Sequence, residues 1–116
     1  MSNIVEKGEN VFVIERRRFE NDIRRHFVGE VDEIAGETAR VSGYIFVFDR
    51  SKNQYVRNPK RRTRLIALAD SNNVINVLPL DANVELVVYR LSPEKHMTVT
   101  DGTTFSLDIN EFGTLT

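Results

Sequence analysis

The sequence predicts an all-β fold, a small barrel or a strongly bent antiparallel sheet with an extra C-terminal hairpin. Three observations carry this. Short β-branched and aromatic runs recur, such as Val11-Phe12-Val13-Ile14 and Tyr44-Ile45-Phe46-Val47-Phe48, and such residues fit a pleated, half-buried surface. Turn signals separate the runs about every ten residues, the rhythm of a sandwich or barrel. Helical spacing surfaces only once, through Phe19, Ile23, Phe27, Val31 and Ile34, which leaves a helix over residues 17–26 as an alternative to strand.

The first strand is Val11-Phe12-Val13-Ile14, and Asn21-Asp22 turns the chain. Residues 24–34 read as the second strand, with Gly29 permitting a bend or bulge. Ala35-Gly36-Glu37 makes a tight turn into a strand over residues 38–48. Alternation places Tyr44, Phe46 and Phe48 on one face of it and Ile45 and Val47 on the other. Residues 49–53 are turn-rich, residues 54–57 continue extended, and Pro59 interrupts them because it cannot donate to a ladder. Residues 63–69 form the next strand. Asp70-Ser71-Asn72-Asn73 turns, since short polar side chains bond their own backbone. Residues 74–78 are a strand stopped by Pro79, and residues 80–83 fit one 3₁₀ turn.

Residues 84–91 read as a strand that is apolar on both faces through Leu86, Val87, Val88 and Tyr89. Residues 97–100 and 103–109 make a final hairpin around Asp101-Gly102, a favoured type I′ signal. Two strands apolar on both faces exceed the need of a two-layer fold. An outer face is therefore covered by the terminal strands or by another copy, which predicts a homo-oligomer. The predicted core is Val31, Ile34, Val41, Ile45, Val47, Leu65, Ile66, Leu68, Ile75, Val77, Leu86, Val88 and Leu91.

A chain of 116 residues has room for one domain, residues 1–116. Charged residues at 28% and hydrophobic residues at 41% fit neither disorder nor a membrane protein. No apolar run approaches the ~20 residues of a spanning helix, and residues 1–6 lack the pattern of a signal peptide. Cysteine is absent, which removes disulfides, thiolate nucleophiles and Cys-based metal sites and fits a cytoplasmic protein. The net charge of −1 hides an asymmetry: fourteen Lys/Arg against ten Asp/Glu in residues 1–64, two against seven in residues 65–116.

Arg50, Lys52, Arg57, Lys60, Arg61, Arg62 and Arg64 fall within fifteen residues that hold no acid. Lys and Arg are almost never buried unpaired, so several of these face solvent together, and phosphate binding needs several cations on one surface. Arg16-Arg17-Arg18 and Arg24-Arg25 extend the patch if the first hairpin lies alongside it. Glu15, Glu20, Asp22, Glu30 and Asp49 are the acids positioned to neutralise part of it. Gly43-Tyr44-Ile45-Phe46-Val47-Phe48 overlaps the aromatic signature of RRM domains, but alternation of this kind is first the mark of a half-buried strand.

Catalytic chemistry finds little support. His26 and His96 are the only histidines, and a metal site or a base–nucleophile pair would need one of them beside exact partners. His26 adjoins Arg24 and Arg25, which repel a metal cation. Asp101, Asp108 and Glu111 lack the spacing of a calcium loop, and no phosphate-cradling glycine motif occurs. No metal and no cofactor are expected.

From Phe27 onward the order of elements resembles the Sm/LSm-like small barrels, a variety of SH3-type β-barrel. Gly29, Val31 and Ile34 are similar to the glycine and apolar positions of the first Sm motif. Its Asp and Asn positions hold Ala35 and Ala39, and Val74-Ile75-Asn76-Val77-Leu78 leads into Pro79 where an Arg-Gly would stand. The resemblance implies a barrel, assembly through edge strands and a leaning towards RNA, and it supplies no site residues.

The leading functional expectation is non-enzymatic binding of RNA or another polyanion through Arg50, Lys52, Tyr55, Arg57, Lys60, Arg61, Arg62 and Arg64, with Tyr55 free to stack. The rival is a structural or adaptor homo-oligomer in which the basic half of one copy meets the acidic half of the next. A third reading is a small-molecule barrel with Tyr44, Phe46 and Phe48 lining a cavity.

Overall fold

The computed structural model describes residues 4–17, 19, 21–70 and 72–109. The described residues are all-β apart from one 3₁₀ turn. Strands β1 (Asn10–Glu15), β2 (Arg25–Ala35), β3 (Thr38–Asp49), β4 (Gln54–Arg57), β5 (Arg62–Ala67) and β6 (Asn73–Leu78) form one antiparallel sheet, and β7 (Val88–Leu91), β8 (Met97–Thr100) and β9 (Ser106–Asp108) form a second. No described helix is long and apolar enough to cross a membrane.

The order in the larger sheet is β4-β3-β2-β1-β6. The free edge of β3 is shared between two partners: β5 pairs with residues 38–43 and β4 with residues 46–49. The change of partner falls at Tyr44 and Ile45, where the Asn58 amide donates to Ile45 O, and Pro59 keeps the ladder from continuing. At the other end Ala35 pairs with Thr38. Gly36, at φ 59°, takes the left-handed conformation that the first central position of a primed hairpin turn favours.

Gly29 and Gly43 face each other across β2 and β3. A Cβ on Gly43 would overlap Val28 O, and one on Gly29 would overlap Ser42 O. The two strands therefore approach at a distance that only glycine permits on both sides.

The sheet is buried on both faces. Val11, Phe12 and Val13 are consecutive and each no more than 2% exposed. Alternation sends Val11 and Val13 to an inner core with Phe27, Val31, Ala39, Val41 and Ile66. Phe12 goes to an outer core with Val28, Tyr44, Phe46, Val84, Val87 and Val99. Ile66 of β5 and Ile75 of β6 come from opposite edges of the sheet, yet both pack on the inner core, so the sheet curls around it. The outer core is closed by the C-terminal sheet.

Of the two covers anticipated, terminal strands or another copy, the chain's own C-terminal sheet supplies the one over the second face of β3.

Residues 84–91 correct the sequence reading. Val84–Leu86 is a 3₁₀ turn, and β7 begins only at Val88. The Asn83 side chain accepts from the Glu85 amide and starts the turn. Leu86, Val88 and Leu91 are exposed rather than core, as are Leu65 and Val77. Leu65 lies opposite Arg40, outside the outer cluster that the C-terminal sheet seals, and Val77 lies on β6, an edge strand of the sheet. Val31, Val41 and Ile66 are buried as expected, and Ile34, Ile45, Leu68 and Ile75 pack against them.

Two further expectations change. Thr100 pairs with Ser106, so the last hairpin closes over five residues, 101–105, rather than over Asp101-Gly102. Asp101 organises this loop by accepting from the Thr103 and Thr104 amides, from Thr104 Oγ1 and from the Asn83 amide. Burial would raise its pKa, but these hydrogen bonds outweigh burial and hold the carboxyl below the ordinary range. The helical alternative for residues 17–26 also falls. The described residues there are turn, bend and the start of β2, and Phe19 and Ile23 are exposed.

Candidate polyanion-binding surface

The cations of the central run divide into two sets once their partners are known. Arg57, on β4, is half-buried. Its guanidinium donates to Glu85 O at 2.8 Å, Val87 O at 3.0 Å and Val84 O at 3.3 Å, and its Cζ lies 4.6 Å from the Tyr44 ring centroid and 5.3 Å from that of Phe46. These carbonyls end the 3₁₀ turn and need donors. Arg57 holds the turn onto the sheet and is not offered to a phosphate.

Arg61 Nη1 lies 2.7 Å from Glu85 Oε1, and Tyr44 Oη donates to the other carboxylate oxygen. Arg64 Nη1 lies 3.2 Å from Glu15 Oε1, with Cζ 5.8 Å from the Phe27 ring centroid. Both ion pairs are partly solvated and exchangeable, of the kind worth about 0–1 kcal/mol. Arg50, Lys52, Lys60 and Arg62 are exposed, and no ion pair holds them among the described residues.

Of the first-hairpin arginines Arg25, Arg17 and Arg24 join the patch, while Arg18 and the acid Glu20 lie outside the described residues. Arg25 pairs in register with Val47 and lines an open groove of about 620 Å³ with Ile45, Val47, Asn58, Lys60, Arg62, Thr63 and Arg64. Lys60 comes from the loop after Pro59, and Arg62 and Arg64 from β5. No described carboxylate lines this groove. Arg17, Arg24 and Arg50 gather around Asn21 at the neighbouring corner. There Asp49 caps the β3–β4 turn by accepting from the Ser51 hydroxyl and amide, chiefly the hydroxyl, which holds its carboxyl below the usual range.

Tyr55 is not a free stacking platform. Its ring lies 4.5 Å from Tyr89 at 7° and 4.6 Å from His26 at 21°. Burial raises its phenol pKa, against the opposing charges of Arg24 and Arg17. Tyr44 and Phe46 are buried in the outer core beneath the C-terminal sheet, whereas Phe48 is half-buried against Tyr55 and Arg24, so the three do not line one cavity. His26 is buried against Tyr89, and His96, between β7 and β8, has its Nδ1 2.9 Å from Oδ2 of Asp108 on β9.

Sequence reasoning missed Glu85 as the partner of Arg61. It lies twenty-four positions away and reaches the patch only because the 3₁₀ turn folds back over β3. Glu15 was among the acids anticipated.

The fold and surface define an all-β protein of two antiparallel sheets with a cationic groove at one end of the larger. No known protein family, curated protein or solved structure matches the chain.

Proposed function

We propose that the chain is a non-enzymatic binding protein that holds the phosphates of RNA, or of a comparable polyanion, in the groove between β2, β3 and β5. One observation carries the reading: Arg25, Lys60, Arg62 and Arg64 converge from three parts of the chain on one open groove that no described carboxylate lines. Unpaired cations held together cost stability through mutual repulsion, and a polyanion relieves it while releasing condensed counterions. The exposed, flexible Lys60 and Arg62 suit phosphate contacts, and Arg64 is available once Glu15 is displaced.

The test is binding of a fluorescently labelled single-stranded RNA, followed by anisotropy, to the wild type and to Lys60→Glu with Arg62→Glu. The expected result is a loss of affinity of about tenfold or more in the double variant. Equal affinity for the two proteins overturns the proposal.

A further inference from the structure

A second pocket adjoins the groove and shares Arg64 with it. We propose that it seats one unpaired base of a strand whose phosphates lie in the groove, with a preference for bases that carry an exocyclic amino group. This rests on the reading of the groove as a phosphate site and adds to it how the strand is read.

The pocket lies where the sheet fails to close. Among the described elements β5 pairs only with β3 and β6 only with β1. The edges that β5 and β6 turn towards each other thus carry peptide groups without ladder partners, and such groups seek other hydrogen bonds. At one end the two strands are tied together by the Asn73 side chain, which donates to Ala67 O at 3.4 Å. The opening left beside it is about 360 Å³, at the small end of the ~300–1,000 Å³ typical of ligand pockets. That suits one base with its sugar and not a base pair.

Its walls fit the same occupant. Val13, Phe27 and Ile66 are buried side chains that give it an apolar floor, against which the flat face of a base loses water. Glu15, Asn72 and Asn73 bring carboxylate and carboxamide groups to the rim. The Asn72 carboxamide makes no hydrogen bond among the described residues, although its backbone is fixed by Arg16 N on Asn72 O and by its own amide on Asp70 Oδ1. A carboxylate only accepts hydrogen bonds, and a carboxamide both accepts and donates. The exocyclic amines of cytosine and adenine are the base groups that carboxylates and carboxamides recognise. Uracil offers carbonyls there instead, which Glu15 repels.

Arg64 joins the two halves. It lies over Phe27, bonds Glu15 and borders the phosphate groove, so the phosphate and base sites are one side chain apart, as parts of one nucleotide must be. A duplex keeps its bases inside and cannot fill such a pocket, whereas an unpaired strand can splay one out.

The experiment compares labelled twelve-residue single strands of A, C and U with an RNA duplex and with inorganic polyphosphate, at one salt concentration. Oligo-A and oligo-C are expected to bind the wild type about fivefold or more tightly than oligo-U, and more tightly than the duplex. Asn72→Ala, which leaves the Glu15–Arg64 pair intact, reduces that difference to about twofold or less while oligo-U affinity stays within about twofold. Equal affinities for all three strands and for polyphosphate overturn the base site and leave the groove intact. Binding of none of these polyanions overturns the groove and the base site together. The comparison among strands uses wild-type protein, so it stands even if the variant fails to fold.

Discussion

His26 Nδ1 lies 2.6 Å from the Tyr89 hydroxyl, and this bond joins the two sheets. His26 comes from β2 and Tyr89 from β7, their rings lie 16° from parallel, and Tyr55 stacks on both. Burial, and secondarily the charge of Arg24, lowers the His26 pKa from 6.5 to about 4. Burial, with a smaller contribution from Tyr55, raises the Tyr89 phenol far above its ordinary value. Both partners of this bond are therefore neutral near pH 7.

The sign of the pH dependence follows from the depressed pKa. The unfolded chain takes up a proton near pH 6.5 and the folded chain only near pH 4, so this contribution to stability is complete above the unfolded value. It is lost as pH falls from about 6.5 to about 4, by an amount on the order of 2–3 kcal/mol. Urea midpoints measured across that range should fall steeply for the wild type and much less for His26→Phe.

Arg57 and Arg61 lie four residues apart in the basic run and have different partners. Arg57→Ala leaves the carbonyls of Val84, Glu85 and Val87 without their donor and should cost about 2–4 kcal/mol. Arg57→Lys should recover only part of this, because an ammonium cannot reproduce the planar fork. Denaturant midpoints read both, and a change below about 0.5 kcal/mol in Arg57→Ala would show that the cap is unimportant.

Gly43→Ala tests the close approach of β2 and β3. The added methyl meets Val28 O and the Cα of Gly29, both backbone, so nothing flexible can yield. A loss of about 3 kcal/mol or more is expected, read as a large fall in thermal midpoint or as insoluble expression. A wild-type midpoint would contradict the register described.

Glu85 pairs with Arg61, and under the proposed function it would compete with RNA for that guanidinium. Glu85→Gln removes its charge while preserving an acceptor for Tyr44 Oη. Affinity for single-stranded RNA should rise about two- to threefold, with stability changed by no more than about 1 kcal/mol. Reduced affinity would place Arg61 outside the binding surface.

Much of the fold was legible in the sequence because alternation and turn chemistry are local. The strands around Val11–Ile14, Tyr44–Phe48 and Val74–Leu78 follow from side-chain type and from punctuation by Gly36, Pro59 and Pro79. Residues 84–91 were misread because Leu86, Val88 and Leu91 are apolar without being buried. What shapes that segment is Asn83 and a loop capped by Asp101, eighteen residues on. The groove was half legible. The charge run showed where cations concentrate, but which of them remain available depends on Glu15, on Glu85 and on the 3₁₀ turn beneath Arg57. Each of these arrives through tertiary folding.

The salt dependence of RNA affinity tests the central claim most directly. With three or four phosphates held in the groove, a plot of log affinity against log salt between about 50 and 200 mM should fall with a slope of about −2 to −3. Lys60→Ala with Arg62→Ala should make that slope shallower by about one unit or more. A slope near zero for the wild type, or one that the double variant leaves unchanged, would contradict phosphate binding at this groove.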